Sequence, residues 1–256
     1  MHGFLPTQIG EKDYVFGYGK LSKKVLRPDG QWSDYLPGHE LQKKNGLETN
    51  NCTSYSTLNC LEILYKFHTG EELNYSERFT GLMAGTRPPG NDLNTVCQAI
   101  RKNGVILEED LPFLDTFSTL EEYYNPDPMD EDLKEKGKNW LKVWGFKHEW
   151  VFPFYLTLQT KQIMLMEALK YSPLAVSVFG WRRNENGDYF KNEGDVDNHV
   201  CTLYGYEKGV RWFVLDSYDN SLKILEWNYD FGQAKKFHLG SPEVSLLEWI
   251  KRLFGN

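Results

Sequence analysis

Cysteine is scarce in this sequence: four residues, Cys52, Cys60, Cys97 and Cys201, among 256. None stands in a Cys-x-x-Cys pair and no His-x-x-x-His pair exists, so the common zinc-site spacings are excluded. No apolar run approaches the roughly 20 residues of a bilayer-spanning helix. The opening stretch, MHGFLPTQIGEKDYVFG, lacks the basic-then-apolar order of a secretory signal. It also lacks a long leader that could serve as a removable inhibitory segment. Few, unpaired cysteines without a signal point to a reducing compartment, and cytoplasmic residence is expected. Basic clusters are missing as well; Lys23-Lys24, Lys43-Lys44 and Lys235-Lys236 are only pairs, in a chain of net charge -7 and pI about 5.5. Nucleic acid is therefore not the expected partner, because phosphate neutralisation takes clustered Lys and Arg. Internal repeats and low-complexity tracts are absent too.

What is present is an ordinary globular composition, 40% hydrophobic and 25% charged, long enough to bury a core. Apolar residues at three- and four-residue spacing, Tyr55, Leu58, Leu61 and Tyr65, predict a helix over 52–68, with Asn50 or Asn51 as its cap and Gly70 beyond its end. A second helix is expected at 92–103, capped by Asn91 or Asp92 and stopped by Gly104. A third is expected near 160–171. Strands are predicted at 173–179, 199–206, 210–218 and 222–227, separated by turn signals such as Asn186-Gly187 and Lys208-Gly209. Helices come first and strands later, which predicts an α+β fold. The acidic, proline-bearing stretch 121–140 marks a boundary between a helix-rich half, about 50–150, and a strand-rich half, about 151–256 plus 1–49, of one domain.

Residues 50–60 read NNCTSYSTLNC, and Cys52 falls at the start of the first helix. A cysteine nucleophile needs its thiolate, and the positive end of a helix favours that form. It also needs an imidazole to share the proton and a third group to orient the imidazole. Of the six histidines, His199 opens a strand in DVDNHVCTLYGY. Asp216 closes the next strand, 17 residues on (216 − 199). Adjacent strands of a hairpin can bring such residues together. The remaining cysteines, Cys60, Cys97 and Cys201, are expected in the core, with Cys201 near the site but inert. His68 and His148 have no partner pattern.

These residues resemble the motifs of the papain-like cysteine peptidases. NNCTSYS is similar to the segment in which that family's cysteine opens a central helix. Asn198-His199-Val200 with Gly205-Tyr206 is similar to its histidine motif, and Asp216-Ser217-Tyr218-Asp219 to its Asn-Ser-Trp-Gly segment. The Cys-to-His separation is 147 residues (199 − 52), within the roughly 130–150 of the family. Weaker likenesses, NYSERF at 74–79, the stretch from Gly85 to Phe113, and EALKYSPLAVSV, follow in the same order, so the resemblance covers about 40 to 230. It implies a helical half packed on an antiparallel β-rich half, with peptide bound in the cleft between them. It also implies catalysis by Cys52, His199 and Asp216, and peptide-backbone binding near Gly90 and Asn198. Three departures stand out. Thr53 replaces the tryptophan after the cysteine, Thr49 replaces a half-cystine, and Asp216 replaces the orienting asparagine. The family's oxyanion glutamine, six residues before the cysteine, is Gly46 here. Gln42 is the candidate donor if the intervening loop is longer, with Asn45 and Asn51 as alternatives.

The resemblance predicts a thiol peptidase acting on peptide or protein, with no metal or organic cofactor. Two other readings fit the same residues: a cell-wall amidase or endopeptidase with the same Cys-His-Asp chemistry, and a non-catalytic module of a virus or microbial complex. A compact chain without leader or disulfides suggests a bacterial or bacteriophage source. The acidic turns NENGD at 184–188 and DPMDED at 127–132 lack calcium-loop spacing. FGYGK at 16–20 lacks the strand-turn-helix context of a phosphate cradle. Oligomeric state is left open.

Overall fold

The structure, a computed structural model, describes residues 3–10, 13–16, 24–38, 40–126, 129–152, 156–219 and 221–240. Most of FGYGK, the first two residues of DPMDED, and His2 and His39 lie outside them. The chain opens with a two-residue strand, β1 (Gly3–Phe4), and a hairpin of β2 (Lys43–Lys44) and β3 (Leu47–Glu48). Helices α1 (Cys52–Thr69) and α2 (Glu77–Met83) follow. Strand β4 (Gly90–Asn91) leads into α3 (Leu93–Asn103), α4 (Leu120–Tyr123) and α5 (Glu131–Val143). The remainder alternates: β5 (Phe146–Trp150), α6 (Leu158–Leu169), β6 (Leu174–Val178), β7 (His199–Glu207), β8 (Arg211–Asp216), β9 (Ser221–Glu226) and β10 (Ala234–Leu239).

The helix signals hold. Gly70 ends α1 in the left-handed region, and its N–H donates to the Lys66 carbonyl at 2.8 Å. Asp92 caps α3 by accepting from the Asn94 and Thr95 N–H groups. The cap expected of α1 is different: the Asn51 side chain makes no cap bond and reaches instead to the Glu77 carbonyl and the Tyr123 hydroxyl. That tie holds the helix start against the helical half and leaves the first-turn N–H groups without a side-chain acceptor from Asn51.

Strands β5 to β10 form one antiparallel six-stranded sheet in the order β5-β10-β6-β7-β8-β9. Its outer pair, β5 and β10, escaped the sequence pattern because both carry buried charge. Lys236 and Glu149 pair at 2.6 Å with almost no exposed surface. Lys235 lies 3.8 Å from the Trp150 ring centroid. Helix α1 lies against the sheet and is buried over its whole first two-thirds, polar residues included. Its small hydroxylated face lets the strands come close; Thr202 on β7 donates to the Ser56 carbonyl at 3.1 Å. One large apolar cluster joins α1, α3 and the sheet, and two small ones sit under the loops of the helical half. The fold is thus α+β, helices against an antiparallel sheet. No helix among the described residues is long and apolar enough to cross a membrane.

Candidate active site

Cys52 is the first residue of α1, where the aligned peptide dipoles place partial positive charge. His199 is the first residue of β7. The loop ahead of it is tied down. Asn198 N–H donates to the Val178 carbonyl at 3.0 Å. Asp197 accepts from Ser177 Oγ at 2.6 Å and Gly232 N at 2.9 Å, and pairs with Lys191. The imidazole is therefore presented from a fixed backbone.

Sheet register brings Asp216 to it. Thr202 pairs with Leu215, and one more step sets Cys201 across from Asp216. His199 is then the diagonal neighbour of Asp216 on the same face, within reach of long side chains. His199 Nε2 and Asp216 Oδ1 stand 2.6 Å apart, both without exposed surface. With Nε2 engaged by the carboxylate, Nδ1 is the ring nitrogen left for the sulfur. Cys52 stands next to Asp216 among the groups that favour the imidazolium. Burial works against an imidazolium here, but Asp216 and Cys52 outweigh it and raise the His199 pKa well above its ordinary value. Burial likewise works against ionised Asp216, and His199 and Lys223 overcome it, holding the carboxyl well below the usual range.

Asp216 is also held by groups that sequence reasoning missed. Trp181 donates from Nε1 to Oδ2 at 2.9 Å and presents its ring edge-on to His199, 5.8 Å between centroids. Tyr218 N–H donates to Oδ1 at 3.1 Å. Lys223 Nζ meets Oδ2 at 2.6 Å. Trp181 follows the β6 strand that pairs with β7, so only the sheet reveals it as a neighbour. Lys223 lies at a period-two position of β9, a signal that needs the strand pairing to be read.

Gln42 is buried and tied to the same corner. Its Oε1 accepts from Ser217 Oγ at 2.9 Å and its N–H donates to the Ser217 carbonyl. The longer loop required between Gln42 and Cys52 is the β2–β3 hairpin, whose turn residues Asn45 and Gly46 both have positive φ. Gln42 Nε2 donates to Glu48 Oε1 at 2.7 Å, which engages one of its two amide protons. Asn45 donates to the Asp115 carbonyl at the hairpin tip, and Asn51 is committed to Glu77 and Tyr123.

Gly90 and Asn198 both touch extended backbone, but it is the chain's own. Strand β1 pairs in parallel with β4, Gly3 opposite Gly90, and Phe4 N–H donates to the Asn198 carbonyl at 3.3 Å. The approach is close enough to require glycine: a Cβ on Gly90 would lie 1.8 Å from the Gly3 carbonyl oxygen, and one on Gly3 2.3 Å from that of Asn50. The N-terminal strand therefore runs between the residue two before Cys52 and the residue before His199. With it in place, neither Cys52 nor His199 has exposed surface.

The other thiols are buried and unpaired with one another. Burial pushes Cys97 up to about 12 and Cys60 well above its ordinary value. Cys201 is raised too, by burial and then by the charge of Asp216. Among the described residues no group of three or more His, Cys, Asp or Glu side chains is arranged to hold a metal ion.

The architecture is found in solved structures. Xylellain, a cysteine protease from Xylella fastidiosa, superposes with a TM-score of 0.60 over 94% of this chain and 96% of its own, at 14% identity. The digestive procathepsin L 3 of Tenebrio molitor larval midgut gives 0.56 over 88% and 72%, at 15%. The Amb a 11 cysteine protease of ragweed pollen, in its proform, gives 0.55 over 89% and 69%, at 15%. The fold of this chain is that of the papain-like cysteine proteases. No protein-family model matches the sequence, and no curated protein matches it.

Proposed function

We propose that this protein is a thiol peptidase that cleaves peptide bonds through an acyl-enzyme. The observation that carries the reading is the Asp216–His199 bond through Nε2, which leaves the other face of the imidazole to Cys52 at a helix tip. In this mechanism the Cys52 thiolate attacks the amide carbonyl carbon. The oxyanion is met by the Cys52 N–H and by the second amide proton of Gln42; such a donor contributes on the order of 10²–10³ in rate. As the tetrahedral species collapses, the C–N bond breaks and the His199 imidazolium gives its proton to the departing amine. The thioester then takes a water molecule, His199 accepts the water proton, and the acid leaves as the Cys52 sulfur is released. Asp216 holds the ring and offsets its charge throughout. Every step uses groups of this chain and water.

The substrate would enter as extended backbone against Gly90–Asn91 and Asn198, where β1 now makes just such contacts. The closed cleft also favours a second reading, a papain-like module whose thiol is permanently covered by its own N-terminal strand. One experiment separates the two. The native protein is treated with iodoacetamide or a peptidyl epoxide and the label is located by peptide mapping. A peptidase takes label at Cys52, and Cys52→Ala loses all cleavage of an unfolded protein substrate. Label at Cys60 or Cys97 with none at Cys52 removes the nucleophile. Label at Cys52 only after Gly90→Ala has displaced β1, without cleavage, supports the covered module.

A further inference from the structure

Asp216 has cations on two sides. On the β7 side stands His199 and on the β9 side Lys223, the diagonal neighbour of Asp216 across the Asp216–Ser221 pair. The Lys223 side chain has only 1% of its surface exposed. Its ammonium bonds Asp216 Oδ2 and Ser221 Oγ, both at 2.6 Å, and pairs with Asp219, so three partners match its three protons. Trp181 and Tyr189 wall it, with ring centroids 5.1 and 5.6 Å from Nζ. A lysine this buried is costly to keep charged. An orienting asparagine would need no such companion, whereas a bare carboxylate in a dry site binds the imidazole proton too strongly for efficient transfer to a leaving amine.

We propose that Lys223 is a positioning residue for the Cys52–His199 pair: by clamping Oδ2 it neutralises Asp216, so that Oδ1 orients the imidazole as a neutral amide would. The inference rests on the thiol-peptidase reading of the site. The groups that face this centre are Cys52 from α1, His199 and Cys201 from β7, Asp216 from β8, Tyr218 and Asp219 from the following turn, and Lys223 from β9. Lys43 of the hairpin lies over the Tyr218 ring. Trp181 and Tyr189 contribute rings.

The test is the pH profile of Cys52 alkylation by iodoacetamide, and of kcat/KM on a peptide, for Lys223→Met, Lys223→Arg, Asp216→Asn and Asp216→Asn/Lys223→Met. Removing a cation makes nearby protons harder to lose. Lys223→Met is therefore expected to move both limbs to higher pH, the basic limb most, by on the order of one unit. Its kcat is expected to fall about tenfold at neutral pH. Lys223→Arg keeps the wild-type profile. Asp216→Asn alone leaves the buried ammonium beside the imidazole with only Asp219 as its anion, so the double variant, without that ammonium, should regain about tenfold over it. A merely structural lysine would leave the profile in place and make the double variant worse than either single one; either result overturns the proposal. If Lys223→Met does not fold, the comparison of Asp216→Asn with the double variant decides. A wild-type Cys52 no more reactive than a free thiol would defeat the peptidase reading itself. A reactive Cys52 with an unmoved Lys223→Met profile would defeat the role of Lys223 alone.

Discussion

Two buried carboxylate sites in this molecule behave in opposite ways. In the strand-rich half, Asp216 is fully enclosed yet held ionised. In the helical half, Glu62 and Glu77 are enclosed and Glu108 partly so, and all three keep their protons to higher pH than free glutamates. Burial pushes Glu62 up to about 8 and Glu108 to about 7, and raises Glu77 well above its ordinary value, with neighbouring acids, Glu40 among them, adding to the effect. Each site has backbone N–H donors: Tyr218 to Asp216, Tyr75 to Glu62 at 2.8 Å and Phe113 to Glu108 at 2.6 Å. The difference is the cations. Asp216 has His199 and Lys223 within 2.6 Å, while the glutamates face chiefly each other. Depth of burial does not set the charge of a carboxyl; the sign of what surrounds it does.

The contrast can be broken most forcefully at Asp216. Asp216→Ala takes the shared buried anion from His199 and Lys223, leaving Lys223 only the half-exposed Asp219, and is expected to cost about 3–5 kcal/mol of stability by chemical denaturation. Peptide cleavage should fall by at least about 10²-fold. Acid should act on the wild type in the same direction. The folded Asp216 is depressed below its unfolded value near 3.8, so its stabilisation is present above that pH and is lost as pH falls below it.

The glutamates should show the reverse sign. A folded Glu62 near 8 against an unfolded 4.5 means that the folded protein binds more protons between those values. Stability then falls as pH rises from about 4.5 to 8. Glu62→Gln, which keeps an acceptor for the Tyr75 N–H, should flatten that slope in denaturation curves measured across the window. A slope unchanged by the substitution would mean that the cluster ionises without cost. Glu77→Gln should act in the same direction. It should be close to neutral at pH 5 and stabilising at pH 8, because folding then no longer takes up a proton at this position.

The amphipathic pattern of α3, the apolar spacing and closing glycine of α1, the strands that flank the site and the order of Cys52, His199 and Asp216 could all be traced in the chain. Strands β5 and β10 could not, because Lys235, Lys236, His148 and Glu149 interrupt any apolar alternation while being buried in pairs. Helix α2 was also missed, although Ser76 caps it by accepting from the Phe79 N–H. Gln42 was reachable only by supposing a longer loop, which is the β2–β3 hairpin. Trp181 and Lys223 carried no signal of their own, since their meaning depends on which strand lies beside which. The position of β1 was equally hidden. Two glycines 87 residues apart (90 − 3) say nothing of each other until the fold brings them together.

Local chemistry was enough to decide where α1 and α3 end, and which thiol stands at a positive helix tip, because caps and periodicity act over a few residues. The charge of the carboxylate, the route of the N-terminal strand and the lysine behind Asp216 were decided only by tertiary contact. Coulomb interaction, desolvation and close backbone approach depend on distance in space, and a sequence records only distance along the chain.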